Sequence, residues 1–168
     1  MLVEFALIIT PLFLLLFGII EYGLWFTDSV GLRHGSRETA RAGAVSRWTG
    51  ERCDRGPLPG ASAHVSSLAC VAVHSTPLTV GDLSVRVAIR DIDNNPTTQW
   101  VVGGTLRICL MSVHESLTGL YPLPNGGVMT SRIDMAIENA APGQQEHGGS
   151  DPAPTGLNWG WCEAEPNT

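Results

Sequence analysis

The chain has 168 residues, 43% of them hydrophobic and only 15% charged, with a formal net charge of −6. With 10 basic against 16 acidic residues it lacks the excess of Arg and Lys that a phosphate backbone demands, which argues against nucleic acid as a partner. Every basic residue is Arg, so no Lys is present for a Schiff base or a phosphate-binding loop.

The apolar excess is concentrated at the N-terminus. The run from Phe5 to Ile20 carries no charge, and its apolar character continues through Tyr22, Trp25 and Phe26 before Asp28. As a helix, residues 5–26 would span roughly 33 Å, enough to cross a hydrocarbon core. Pro11 would break a soluble helix, but a membrane helix tolerates it where neighbours satisfy the freed carbonyl. With no basic stretch ahead of the run and no small-x-small site after it, the segment reads as a retained helix over residues 1–26 rather than a cleavable signal. Glu4 and Glu21 bracket it, and a carboxylate there costs a few kcal/mol unless it reaches water or a partner. Beside Tyr22 and Trp25, Glu21 reads as interfacial. Glu4 is placed to accept a hydrogen bond or ion pair from a free amine on a neighbouring chain.

Residues 27–50 follow as a helical extension. Asp28 to Trp48 contains no Pro, which predicts one long rod to about Trp48, weakened by Gly31, Gly35 and Gly43. Arg33, Arg37 and Arg41 recur every fourth residue and form one stripe, with Glu38 on an adjacent face. That stripe is either a solvated face or a charged surface for acidic faces of neighbouring subunits.

Beyond the loop at 54–60 the period becomes two. Leu83, Val85, Val87 and Ile89 alternate with smaller or charged residues, and Met129, Ile133, Met135 and Ile137 share one side of a second run. Thr105 to Val113 and Ala69 to His74 complete a predicted antiparallel sheet of three or four strands, packed by one face on the soluble half of the helix. The expected class is therefore α+β, with a small β-rich ectodomain over residues 51–138. The Pro- and Gly-rich tail, 139–168, carries Trp159, Trp161 and Cys162, through which it is expected to dock on the sheet.

Cys53, Cys70, Cys109 and Cys162 are far apart, with no C-x-x-C and no His at zinc-knuckle spacing, so they read as two disulfides in an oxidising compartment rather than a metal site. Of three possible pairings, Cys53 with Cys70 and Cys109 with Cys162 are favoured, closing the loop after the helix and tying the tail to a strand. Asp91 to Asn95 opens like a calcium loop, yet Pro96 stands where Gly is needed and Val102 where Glu is needed, so it reads as a turn. His114 and Glu115 lack the second His of a zincin, there is no G-x-S-x-G, and Gly103-Gly104 and Gly126-Gly127 read as loop glycines. No enzyme, cofactor or metal is expected.

The string LVEFALIITPLFLLLFGIIEYG, residues 2–23, resembles the N-terminal signature of TadE-like proteins, minor pseudopilins of tight-adherence (Tad/Flp) pili. SRETAR at 36–41 is similar to the segment following the membrane helix in that family, and Asp134, Met135, Ala136, Ile137 and Glu138 give a weaker third match. The resemblance implies a pilin-like protein whose Glu4 neutralises a neighbour's N-terminal amine while Phe5, Pro11 and Glu21 mark the packing helix. It implies as partners other pilins including the major pilin, an assembly platform, a secretion ATPase and a prepilin peptidase. Family members start with a basic leader ending in Gly; aligned on Glu4, that cleavage site falls just before Met1, so either the start codon is placed too far downstream, the favoured reading, or the protein is inserted without processing.

The arginines after the helix, taken literally under the positive-inside rule, would hold the ectodomain in the cytoplasm. A basic leader and the paired cysteines oppose that, and the expected location is a single-pass protein of the cytoplasmic membrane with its ectodomain outside. The alternative to a pilus subunit is a membrane-tethered binding module that does not polymerise.

Overall fold

The computed structural model describes residues 2–45, 56–140 and 145–164. Helix α1 runs from Leu2 to Ala44 with Pro11 inside it. Its second half is buried on one face only: Asp28, Leu32, Ser36, Thr39, Ala40 and Ala44 recur at spacings of three and four and face the domain. Gly31, Gly35 and Gly43 lie on that same face, and a side chain there would meet Pro77, Thr76 and Leu106 respectively. The three glycines that weaken the helix intrinsically therefore let a second helix and the sheet approach its backbone. The Ala44 carbonyl at the end of α1 accepts from Glu138 and Asn139 N–H, so the exit of the last long strand caps the helix. Trp48, the expected helix limit, lies outside the described residues, as does Cys53 with its expected pairing to Cys70.

Ala69 to His74 is not a strand. Helix α2 spans Ala63–Ser75, opened by Ser62, whose side chain accepts from the Val65 N–H at 3.3 Å. The apolar run in this segment imitates a buried strand, but Val65, Leu68, Ala69 and Ala72 are buried at helical spacing. Thr76-Pro77 then ends the helix against α1.

The sheet has four antiparallel strands in the order β3-β2-β1-β4, with β1 at Leu83–Arg90, β2 at Thr105–Val113, β3 at Val128–Ala136 and β4 at Gly149–Ser150. The fourth strand comes from the tail, pairing Gly149 and Ser150 with Val87 and Arg86. One face packs on α1 and α2 through Val85, Val87, Ile89, Leu106, Ile108, Leu110 and Met129. The inward Ser131 meets Ser36 of α1 at 2.7 Å.

The opposite face is covered too. Cys109 and Met111 of β2 cluster with Trp159 and Cys162, and a disulfide joins Cys109 to Cys162. The short helix α3, Gly160–Glu163, lies across this face. Four arginines hold it. Arg86 and Arg90 bind the Glu163 carboxylate, Arg107 donates to the Cys162 carbonyl at 3.1 Å, and Arg132 donates to the Ala164 carbonyl. Covered on both sides, β2 is buried at seven of its nine positions. Cys70 is also disulfide-bonded.

Candidate assembly interface on the N-terminal helix

The first half of α1 stands clear of the domain. The helix is long and apolar enough to cross a membrane, and only 6% of its most apolar 18-residue window is buried. Val3, Phe5, Leu7, Ile8, Leu12, Leu15 and Ile19 are each more than 60% exposed, an apolar surface that water would not leave uncovered on a folded chain. Glu4 lies exposed in the first turn, and Phe5 and Pro11 lie on the same uncovered stretch. Thr10 returns its hydroxyl to the Ala6 carbonyl at 2.9 Å, so the helix satisfies its own polar side chain here.

Glu21 ends the uncovered stretch, and it is not simply interfacial. Its side chain is 1% exposed. The carboxylate accepts from the Thr118 hydroxyl at 2.6 Å and from the Ser116 hydroxyl, both on the loop between β2 and β3. Two aromatic hydroxyls extend the contact: Tyr22 donates to the Pro122 carbonyl at 2.9 Å, and Tyr121 donates to the Leu14 carbonyl, with its ring beside Gly18.

Two turns further along, Asp28 is fully buried and accepts four hydrogen bonds. They come from the Thr79 N–H at 2.8 Å and hydroxyl at 2.7 Å, the Val80 N–H at 3.3 Å and the His114 ring at 3.0 Å. His114, with no role in the sequence reading, thus fastens the same loop to the helix. Ser116, Thr118 and Tyr121 are equally unsignalled by motif; the hint was a charge-free stretch from Ser116 to Ser131 in a chain with an exposed helix.

Arg33, Arg37, Glu38 and Arg41 are all exposed on the side of α1 away from the domain. Asp91 accepts from the Asp93 and Asn95 N–H groups at 2.9 and 2.8 Å, closing a turn on itself. Among the described residues no group of three or more His, Cys, Asp or Glu side chains is arranged to hold a metal ion. Outside the apolar helix, the carboxyl group with a clear shift is Asp134. Burial pushes it up, but the Arg107 fork at 2.7 and 2.8 Å and Arg132 at 3.0 Å outweigh that and hold it below its ordinary value.

Residues 1–41 match the family model described as TadE-like protein. The matched stretch coincides with the uncovered half of α1, its polar collar at Glu21 and Asp28, and the beginning of the glycine-lined packing face. No curated protein and no solved structure matches the chain significantly.

Proposed function

We propose that the chain is a minor pseudopilin, a structural subunit taking part in assembly or initiation of a tight-adherence type IV-like pilus. The observation that carries this reading is the coincidence of the TadE-like match with the part of α1 that the domain leaves bare. In this reading the apolar stretch is an anchor in the cytoplasmic membrane before assembly and a packing surface among other pilin helices afterwards. Glu4 neutralises the N-terminal amine of a neighbour, a charge pair strengthened by apolar surroundings. The ectodomain faces outward, in keeping with its Cys109–Cys162 disulfide. Its partners are other pilins, the major pilin among them, and the assembly platform with its secretion ATPase. The role is structural rather than catalytic.

Replacing Glu4 with Ala in the producing cell tests this. Loss of surface pili, with loss of co-purification with the other pilins, is the expected result. Unchanged pili and unchanged co-purification would refute it in favour of a tethered module that does not polymerise.

A further inference from the structure

The loop between β2 and β3 is built inside out relative to a loop facing water. Its hydroxyls turn inward: Ser116 and Thr118 bind the Glu21 carboxylate, and Tyr121 binds the Leu14 carbonyl. The Ser116 and Thr118 oxygens also accept the Gly119 and Leu120 N–H groups, while Pro122 and Pro124 bring no N–H at all. Two of its leucines turn outward, Leu117 at 60% and Leu120 at 61% exposure, while Leu123 is half-buried. Single exposed leucines mean little on a soluble surface. Here they sit on a stretch without charge whose three hydroxyl side chains are all consumed internally, which lowers the cost of taking those side chains out of water.

The level of the loop along the helix decides what covers it. Glu21 is the last ionisable residue before the uncovered apolar stretch, and a hydrocarbon core of about 30 Å measured back from it reaches Leu2. Leu14 lies seven residues inside that limit, about 10 Å deep at the helical rise. Tyr121 makes its hydrogen bond at that depth, and Leu117 and Leu120 lie exposed on the same loop, as Leu15 and Ile19 lie exposed on the helix it folds against.

We infer that the loop over residues 116–123 enters the leaflet on the ectodomain side, with the Leu117, Leu120 and Tyr121 side chains in the acyl region and the backbone at the headgroup boundary, so that the domain is held in the membrane by a second element beside α1. This rests on the membrane-spanning reading of α1. The loop's occupant is lipid, which explains why Glu21 needs hydroxyl partners from the loop: insertion removes the water that would otherwise solvate it.

The test is a depth measurement on the full chain in phosphatidylcholine nanodiscs. Spin labels are placed singly at Leu120→Cys, at Leu12→Cys in the helix and at Val102→Cys on the exposed side of the domain, and collision rates with oxygen and with a water-soluble nickel complex are compared. These positions are all exposed, so labelling leaves the packing intact. The expected result is a label at 120 that behaves like the one at 12, shielded from nickel several-fold relative to 102. A label at 120 as open to nickel as the one at 102, with 12 still shielded, overturns the loop insertion and leaves the spanning helix standing. Nickel access at 12 as well overturns both. A label at 120 shielded from nickel only when other pilins are added would assign the loop to a protein interface and also overturn the inference.

Discussion

Gly35→Ala separates intrinsic helix preference from packing, because the two predict opposite signs. Alanine in a helix interior is favoured over glycine by about 1 kcal/mol. At this position, however, the new Cβ would stand 1.8 Å from the Thr76 hydroxyl oxygen, 2.8 Å from its Cβ and 3.1 Å from its Cα. The hydroxyl can rotate away, but the Cβ and Cα cannot move without displacing the end of α2, so overpacking in the usual range of about 1–3 kcal/mol applies, toward its upper part. The net expectation is a loss of about 1–2 kcal/mol, or about 2–8 °C in melting midpoint for a chain of this size. The assay is near-ultraviolet circular dichroism of the purified chain in detergent, which follows tryptophan packing in the ectodomain. Gly23→Ala on the same helix is the control: nothing lies within 4 Å of its Cβ, so its midpoint should stay or rise slightly. Adding Thr76→Ala to Gly35→Ala removes the 1.8 Å contact and should recover part of the loss, a favourable coupling in the double-mutant cycle. Thr76 Oγ1 makes no hydrogen bond among the described residues, so its removal orphans no partner there. A Gly35→Ala chain that melts at or above the wild type would refute the close approach of α2 to α1.

The disulfide and the arginine clamp give two more tests. Replacing Cys109 and Cys162 together with Ala opens a loop with a sequence separation of 53, for which chain entropy gives a loss of about 4 kcal/mol, read as a lower denaturation midpoint in non-reducing conditions; a midpoint within experimental error of the wild type would show that Trp159 and the arginines dock the tail unaided. Because the folded pKa of Asp134 lies below its unfolded value, its contribution to stability is fully present above the unfolded pKa, near pH 4, and is lost as pH falls through the folded pKa. Denaturation midpoints measured from pH 6 downward should therefore fall in the wild type below about pH 4, and Asp134→Asn should start lower and fall less; parallel profiles would refute the clamp.

Much of the fold is carried by local pattern. The N-terminal helix follows from an uncharged apolar run, and β1 and β3 follow from period-two alternation, because burial on one face leaves that trace in sequence; β2, buried on both faces, shows as a short apolar run instead. The α2 segment was misread because a short apolar run fits a buried strand as well as a buried helix, and the arbitration lies in Ser62 as a cap and in burial three and four residues apart. The TadE-like signature was legible for the same reason as the helix: it is contiguous.

What the sequence by itself determined is the class, the membrane-length helix with an acid near each end, and the tie between tail and strand. Tertiary structure alone decided which surface is left bare. Glycines 31, 35 and 43 are a liability to an isolated helix and become a packing face only when Thr76, Pro77 and Leu106 come to rest on them. Arg86, Arg90, Arg107 and Arg132, scattered through the chain, form one cradle because strand register places them on the same face. Ser116, Thr118 and Tyr121 reach Leu14 to Tyr22 across about a hundred residues, and no periodicity encodes a contact between a loop and a helix so far apart in the chain. The apolar excess of the chain therefore locates the helix, whereas the depth at which the domain meets it depends on a loop that folds back along its side.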